Sequence, residues 1–320
     1  MGEFDLIRRF FTRPPRQAVL GVGDDCALWA PTPGMQLALS ADLLVAGRHF
    51  LPDVDPEALG HKTLAVNLSD LAACGAQPRA FLLSLALPEV NEDWLAGFAR
   101  GLLALADAHG CELVGGDTTR GPLTLNVTVM GEVPPGQALL RSGAQVGDDV
   151  YVSGHLGDAR LWLEAWRGQL APPPAVLAQA RARMERPTPR VALGLALRQV
   201  ASSAADLSDG LLGDLGHILK ASGVGAELDE AALPALMATH AAWPLPEAWW
   251  RTCVLAGGDD YELVFTAAPA QRAAVQHASA QAQTPVHRIG RIGGEPGVRL
   301  RNAQGDLRLV QDLASFDHFA

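Results

Sequence analysis

Strand-like and helix-like hydrophobic patterns alternate along the first half of the chain, which predicts mixed α/β structure. From residue 123 to 129, leucine and valine alternate with threonine and asparagine, the period of a half-buried strand. Residues 37–39 predict another strand. A helix is predicted from Pro56 to Gly75, because Asp55 can cap it and a glycine ends it. A second helix is predicted from about Asn91 to Gly110, because Leu95, Phe98, Leu102 and Leu105 lie on one face.

A second set of predicted elements follows residue 145. The pattern indicates a strand at 150–152, a helix at about 208–221, and strands at 263–266 and 286–289. A chain of 320 residues is long for one domain and suits two. We therefore predict an α/β domain over residues 1–145 and an α+β domain over residues 146–320.

Composition excludes several classes of partner. The chain has 35 acidic and 25 basic residues, a net charge of −10, whereas nucleic-acid binders need a basic surface. It lacks a run of about eighteen apolar residues, so no membrane span is predicted. Its four cysteines form no CxxC pair and are predicted to be small buried residues in a reducing compartment. We expect a cytoplasmic protein without a nucleic-acid or membrane partner.

Several aspartates fall near the predicted ends of strands and helices. Asp25 follows a Gly-x-Gly turn, Asp42 follows a strand, and Asp117 follows a strand that ends in glycines. Asp70 lies late in a largely apolar helix, where a carboxylate is costly to bury unless it is neutralised. Each could instead be a turn residue, a cap or a paired aspartate. As a set of oxygen donors without histidine-rich or thiolate-rich spacing, they favour Mg²⁺ over zinc.

The common phosphate-binding motifs of kinases are absent from the sequence. The chain has no GxxxxGK[ST] motif, and neither of its lysines, Lys62 and Lys220, follows a glycine-rich loop, which excludes a P-loop enzyme. The HRD and DFG motifs of protein kinases are also missing. Segments 154–158 and 207–210 could each present backbone N–H groups at a helix start to a phosphate, or be structural turns.

Eight short motifs together resemble one family. In chain order they are GVGDDCA (21–27), SADLLVAGRHF (40–50), AVNLSDLAA (65–73), VGGDTTRG (114–121), RSGA (141–144), DLSDGL (206–211), GGDDYEL (257–263) and FDHF (316–319). In this order and at these spacings, the chain resembles the thiamine-monophosphate kinase family of the aminoimidazole-ribonucleotide-synthetase-like superfamily over nearly its whole length.

The resemblance implies a fold and a reaction. The fold is an amino-terminal α/β domain that binds metal and ATP, followed by an α+β domain; the first domain's sheet pairs with that of a second subunit, which makes a homodimer. The reaction is phosphoryl transfer from ATP to thiamine monophosphate, giving thiamine diphosphate, with several Mg²⁺ ions and by direct in-line transfer.

The resemblance also implies site residues. The positions that match magnesium sites are Asp25, Ser40, Ala41, Asp42, Asp70, Asp117, Asp206 and Asp209, of which Asp70, Asp117 and Asp209 are expected to be catalytic. ATP contacts match Gly116, Asp117, Arg141 and Ser208, and acceptor contacts match His49, Asp259 and Phe316. Two positions depart from the family pattern. Ala41 stands where threonine is usual, and Asp259 stands where the longer glutamate is usual.

Three alternatives remain open from the sequence. The first is another enzyme of the superfamily, such as a purine-pathway ligase or a selenophosphate synthetase. The latter would carry a reactive cysteine in a glycine-rich amino-terminal segment, whereas the first 20 residues contain no cysteine and only Gly2. A metal-dependent phosphatase would release inorganic phosphate without ATP. A non-catalytic nucleotide or metal sensor would bind the same ligands without turnover.

Overall fold

The computed structural model of the protein describes residues 2–311 and 313. The chain divides into two compact units. The first comprises residues up to Leu71 together with Ala76–Gly136, and the second comprises Ala72–Gly75 and the described residues from Gln137 onward. The placement of the domain boundary between residues 145 and 146 stays a prediction.

The amino-terminal elements form a four-stranded sheet with two long helices. They are α1 (Glu3–Leu6), a π-helical turn (Ile7–Phe11), β1 (Gln36–Val45), α2 (Pro56–Ala73), β2 (Gln77–Leu87), α3 (Glu92–His109), β3 (Glu112–Arg120) and β4 (Thr124–Val133). The strand order is β1-β4-β2-β3. Only β2 and β3 run parallel. Among the described residues, β1 is therefore an edge strand, paired with β4 alone.

Local capping explains where the two long helices begin and end. The Asp55 carboxylate accepts the backbone N–H of Ala58 at 2.9 Å at the start of α2, and the Asn91 side chain accepts that of Trp94 at 3.0 Å at the start of α3. Gly110 takes a left-handed conformation directly after α3. The predicted helices are confirmed to within about two residues, the usual margin for a helix end.

The second unit contains a seven-stranded sheet. Its elements are β5 (Asp149–Ser153), α4 (Asp158–Trp166), α5 (Pro174–Glu185), α6 (Val191–Ala196), β6 (Ser203–Asp206), α7 (Leu211–Ser222), β7 (Gly225–Asp229), α8 (Glu247–Ala256), β8 (Leu263–Ala267), α9 (Arg272–Gln281), β9 (Val286–Gly293), β10 (Gly297–Arg301) and β11 (Leu307–Leu309). Three short 3₁₀ turns lie at Glu230–Ala232, Pro234–Leu236 and Pro269–Gln271. The strand order is β11-β10-β7-β9-β5-β8-β6, in which β7 and β10 are parallel and the other neighbours antiparallel.

Four local predictions were wrong. Asp42 lies inside β1 rather than after it, and Asp117 lies inside β3, which continues through the glycines. Pairing with neighbouring strands overrides the low strand propensity of Asp and Gly at both places. Helix α7 begins at Leu211 rather than Ser208. Cys26 is exposed and Cys74 only partly buried, whereas Cys111 and Cys253 are buried as predicted.

Two buried carboxylates fix the path of the irregular segment before β1. Glu112 accepts the backbone N–H groups of Arg16, Gln17 and Ala18 at 2.6, 2.9 and 3.1 Å. Glu132 accepts the backbone N–H and the hydroxyl of Thr32 at 2.8 and 2.7 Å. Because a buried carboxylate needs donors, these contacts hold both ends of the segment that carries Asp25. Within residues 2–311 and 313, no helix is long and apolar enough to cross a membrane.

Candidate active site

Strand β1 and helix α2 bring together four of the polar residues that the sequence singles out. The Ser40 hydroxyl donates a short hydrogen bond to the Asp70 carboxylate. The Asp42 backbone N–H donates to the side-chain oxygen of Asn67 at 3.0 Å, and Asn67 in turn donates to the Thr63 carbonyl at 3.1 Å. Asn67 and Asp70 are three residues apart on α2 and so share one face of it. The hydroxyl and the carboxylates of this cluster therefore lie on the side of β1 that faces α2.

Asn126 is a site residue that the sequence analysis missed. Its side-chain amide donates to the Asp42 carbonyl at 3.0 Å, so asparagine side chains bond the backbone of Asp42 at both its N–H and its carbonyl. In the sequence, Asn126 is one of several polar residues that alternate with leucine and valine in the predicted strand, and nothing distinguishes it from Thr124 and Thr128.

Ala41 projects to the opposite side of β1 from Ser40 and Asp42. Successive strand residues point to opposite faces, and Ala41 is exposed whereas its two neighbours are partly buried. A threonine hydroxyl at this position would therefore also point away from Asp70. Because alanine has no side-chain oxygen, Ala41 could bind a metal ion only through its backbone carbonyl.

Gly116 allows a close approach between β3 and β2. Its φ angle is +148°, and a Cβ atom added there would lie 1.8 Å from the Leu83 carbonyl oxygen. No residue with a side chain fits this position without moving the backbone. Asp117 follows directly, is exposed, and pairs in the ladder with Ser84 of β2. The strand thus presents the exposed backbone of Gly116 and the exposed carboxylate of Asp117 side by side.

Asp25 lies at the tip of a short hairpin closed by hydrogen bonds between Leu20 and Leu28. Its backbone N–H is capped by the Asp24 carboxylate at 2.8 Å, and its own side chain is exposed. His49 lies in the turn after β1, where its Nδ1 accepts the Val45 backbone N–H at 3.0 Å. This bond requires an unprotonated Nδ1, so the neutral ring carries its proton on Nε2.

In the second unit, the residues after β6 form a compact turn before α7. Asp206 is buried at the end of β6, and Ser208 and Asp209 are partly buried. The Asp214 carboxylate, on the first turn of α7, accepts the backbone N–H groups of Asp209 and Gly210, both at 3.1 Å. Burial raises the pKa of Asp214 to about 7, although these N–H groups oppose the shift. Asp214 is a second residue that sequence reasoning missed.

The structure also joins Ser208 to Asp259, because the Asp259 backbone N–H donates to the Ser208 carbonyl at 2.9 Å. Arg141 is exposed, and its carbonyl accepts a long hydrogen bond from Ser222 at 3.4 Å. Phe316 lies outside the described residues. The predicted nucleotide and acceptor positions of this unit are therefore in contact at one place, Ser208 with Asp259.

The donor set of the first unit suits a hard cation. It consists of carboxylate, hydroxyl and carbonyl oxygens, which are the ligands that Mg²⁺ prefers. In the described part of the chain, no group of three or more His, Cys, Asp or Glu side chains is arranged to hold a metal ion. Within this set, the Ser40 hydroxyl contacts the Asp70 carboxylate.

Two family models match the chain. The model for the AIR synthase related protein N-terminal domain matches residues 23–133, and that for the C-terminal domain matches residues 145–302. Together they span most of the chain, so the protein is of the AIR synthase related class. The predicted fold class, α/β followed by α+β, is confirmed.

Relatives with established names narrow the assignment. Thiamine-monophosphate kinase of Salmonella typhimurium is 45% identical over all of this chain and 98% of its own length, and that of Bacillus subtilis is 33% identical over all of both. The crystal structure of thiamine-monophosphate kinase from Stenotrophomonas maltophilia K279a has 47% identity, covers 95% of this chain and 96% of its own, and has a TM-score of 0.84. AaThiL complexed with AMPPCP and TMP has 28% identity, covers 91% and 89%, and has a TM-score of 0.75. The chain belongs to the thiamine-monophosphate kinase family.

Proposed function

We propose that this chain transfers the γ-phosphoryl group of ATP to the phosphate of thiamine monophosphate, giving thiamine diphosphate and ADP. Membership of the family supports the reaction. The observation in this structure that carries the proposal is the Ser40–Asp70 contact on the α2 side of β1, beside Asp42, whose backbone two asparagines fix. Such a set of oxygen donors, in a chain with only two lysines, suits a kinase that depends on metal rather than on a phosphate-binding lysine.

The acceptor needs no general base, because a phosphate monoester is largely a dianion at neutral pH. The obstacle is repulsion, since two unit charges about 4 Å apart in a partly desolvated site repel by about 4 kcal/mol. Bound Mg²⁺ would supply the positive charge that offsets this repulsion and the charge of the transition state. The protein would supply position, because in-line transfer requires the attacking and leaving oxygens to be aligned.

We assign the roles as follows. Asp25, Ser40, Asp42, Asp70 and Asp117 of the first unit, with the carbonyl of Ala41, and Asp206 and Asp209 of the second, would hold Mg²⁺. Gly116, Asp117, Arg141 and Ser208 would contact ATP, and His49, Asp259 and Phe316 the acceptor. The exposed backbone at Gly116 suits a phosphate, and Arg141 adds a positive charge that carboxylates cannot provide.

One incubation tests the reaction. The purified protein is mixed with ATP, MgCl₂ and thiamine monophosphate, and the products are resolved by chromatography. We expect thiamine diphosphate and ADP in equal amounts, and neither when MgCl₂ is replaced by a chelator. ADP or inorganic phosphate formed equally without thiamine monophosphate would instead identify a phosphatase or an ATPase.

We also propose a homodimer formed through β1. Its outward side carries Leu37, Leu39 and Leu43, which are 53%, 65% and 52% exposed. A row of exposed leucines on an edge strand is unfavourable in water and is normally covered by a partner. Light scattering should give twice the chain mass for the unaltered protein and a lower mass for Leu39→Glu. A monomer at micromolar concentration before any substitution would refute the dimer.

We place the protein in the cytoplasm. The four cysteines form no disulfide bond, which suits a reducing compartment. ATP as the phosphoryl donor points the same way. Fractionation of cells that produce the protein should find it with cytoplasmic markers, and recovery with the membrane pellet would contradict this placement.

A further inference from the structure

The loop that carries Asp259 has a strained backbone. It runs from Gly257 at the end of α8 to Glu262 before β8, and we call it the acceptor loop. Asp259 and Tyr261 have φ angles of +65° and +50°, in the left-handed region that residues with side chains rarely adopt. Such a conformation persists only where the surrounding contacts impose it. The question is which contacts do so here.

Backbone hydrogen bonds tie the acceptor loop to the Leu207–Ser208 segment. The N–H groups of Asp259 and Tyr261 donate to the carbonyls of Ser208 and Leu207 at 2.9 and 2.8 Å, and the Leu207 N–H donates to the Glu262 carbonyl at 2.8 Å. These bonds extend the ladder in which Asp206 pairs with Leu263. They set the spacing between the two segments, but they leave open where the loop as a whole is anchored.

The anchor is a buried ion cluster at the carboxyl end of the loop. Glu262 is fully buried, and its carboxylate accepts the Ser153 hydroxyl at 2.6 Å and Arg183 at 2.7 Å. Arg190 binds both oxygens of the same carboxylate, at 2.6 and 2.5 Å. Two planar guanidinium groups thus fix both the position and the orientation of Glu262. We call Glu262, Arg183, Arg190 and Ser153 the arginine clamp.

The arginine clamp is charged and closely packed. Burial would raise the pKa of Glu262, but the hydrogen bonds and charges of Arg190 and Arg183 hold that pKa below its ordinary value. A Cβ atom on Gly154, whose φ is +54°, would lie 2.1 Å from the Glu262 carboxylate, so the space around the carboxylate is already filled. Arg183 also donates to the His155 carbonyl at 3.0 Å.

A second buried carboxylate holds the middle of the loop. Asp260, adjacent to Asp259, is buried, and both its oxygens accept the Gly157 backbone N–H, at 2.9 and 3.0 Å. The side chains of Asp260 and Glu262 therefore enter the protein interior. Asp259, before the first of them, and Tyr261, between them, take the left-handed conformation. The two anchored residues, Asp260 and Glu262, flank Tyr261, and Asp260 directly follows Asp259, so both left-handed residues adjoin an anchored side chain.

We propose that the arginine clamp positions Asp259 for the acceptor, so that Glu262, Arg183 and Arg190 determine the affinity for thiamine monophosphate without touching it. The inference rests on the proposed function for the roles of Asp259 and Ser208. The ATP contact Ser208 directly precedes Asp209 and Gly210, whose backbone N–H groups bond Asp214, so this segment is held independently of the clamp. Loosening the clamp should therefore affect the acceptor more than ATP.

The test compares Glu262→Gln with a matched control, Asp149→Asn. Asp149 is also a buried carboxylate with two arginine partners, Arg272 at 2.6 and 2.9 Å and Arg288 at 3.2 Å. It pairs with Ala267 at the opposite end of β8 from the acceptor loop. Steady-state kinetics give KM for each substrate, and amide hydrogen exchange reports on residues 257–262.

In Glu262→Gln we expect KM for thiamine monophosphate to rise by about tenfold to a hundredfold, KM for ATP to change by less than about threefold, and exchange in the loop to accelerate. Arg190→Lys, which keeps the charge but loses the two-pronged contact, should do the same more weakly and replaces the first variant if that one does not fold. Asp149→Asn should leave both KM values and the exchange of the loop unchanged.

Unchanged KM for thiamine monophosphate and unchanged loop exchange in a folded clamp variant would overturn the inference, and so would an equal rise in Asp149→Asn. Failure of the proposed function looks different, because the unaltered protein would then make no thiamine diphosphate. In that case, amide hydrogen exchange in residues 257–262 tests whether the clamp holds the loop. Faster exchange in Glu262→Gln but not in Asp149→Asn supports the clamp, and no difference refutes it.

Discussion

Replacing Asp70 by asparagine removes one charge at nearly constant volume. Asp70 accepts the Ser40 hydroxyl, and an amide oxygen can accept the same bond. A hydrogen bond to a charged group contributes about 1.5–3 kcal/mol, and a neutral one about 0.5–1.5 kcal/mol. The free energy of unfolding should therefore fall by about 1 kcal/mol. A change of this size lowers the melting temperature of a domain of 150–250 residues by about 2–4 °C, and the fall in this chain should be no larger.

Activity should respond far more strongly than stability. If Asp70 holds Mg²⁺, an amide supplies a weaker, uncharged ligand at a point where donor and acceptor phosphates repel. We expect kcat to fall by about a hundredfold or more. We also expect Asp70→Asn to lose most of the rise in melting temperature that Mg²⁺ with a non-hydrolysable ATP analogue gives the unaltered protein.

The assay measures thiamine diphosphate formation by chromatography, with circular dichroism to establish folding. Asp107→Asn is the control, because Asp107 lies on α3 of the same unit, is exposed, and bonds Arg13 and Arg16 at 2.9 and 2.6 Å. The control should keep normal turnover, since exposed ion pairs contribute little. Near-normal turnover in folded Asp70→Asn would assign Asp70 a structural role, and an equal loss in Asp107→Asn would show that the effect is not specific.

Four further outcomes are expected. Gly116→Ala should destabilise the first unit and abolish turnover, because its Cβ would overlap the Leu83 carbonyl; a normal melting temperature would contradict the geometry. Mg²⁺ with the ATP analogue at about 100 times its Kd should stabilise the unaltered protein by about 2.7 kcal/mol, and a melting curve indifferent to both ligands would argue against the site. His49→Ala should raise KM for thiamine monophosphate more than KM for ATP, and equal changes would indicate a role in the fold. Hydrogen bonds from Arg272 hold the pKa of Asp149 below its ordinary value, so its ionised form stabilises the fold above about pH 4, and this contribution is lost as pH falls through the folded pKa. Urea unfolding of Asp149→Asn should therefore show a flatter loss of stability below about pH 4 than the unaltered protein.

The sequence predicted the elements whose signals are local. The capped helices α2 and α3 are confirmed because Asp55 and Asn91 act within one turn of the positions where they stand. Strand β4 is confirmed because its period-two pattern reflects one buried and one partly exposed side. Where the determining contact is distant, prediction failed. Asp42 and Asp117 were expected beyond strand ends, but pairing with Val127 and Ser84 keeps both inside strands.

The same distinction applies to the candidate site. The motif resemblance indicated Ser40, Asp70 and Ser208. It did not indicate Asn126 or Asp214, whose side chains bond the backbone of Asp42 and Asp209. Neither residue has a feature in the sequence that separates it from an ordinary strand or helix residue. Likewise, no sequence pattern shows that Glu262 is fully buried between two arginines that lie more than seventy residues earlier in the chain.

Strand β1 carries the polar cluster residues on one side and exposed leucines on the other, at alternate positions. Substitutions can therefore change one side without the other. Substituting Leu37, Leu39 or Leu43 with polar residues alters only the outward side and leaves Ser40 and Asp42 facing α2. Deleting a single residue from the strand would instead swap the two sides, turning carboxylate to solvent and leucine towards Asp70. A change of this strand's length by one residue is therefore incompatible with the cluster on its α2 side, whereas substitutions on its outward side leave that cluster in place.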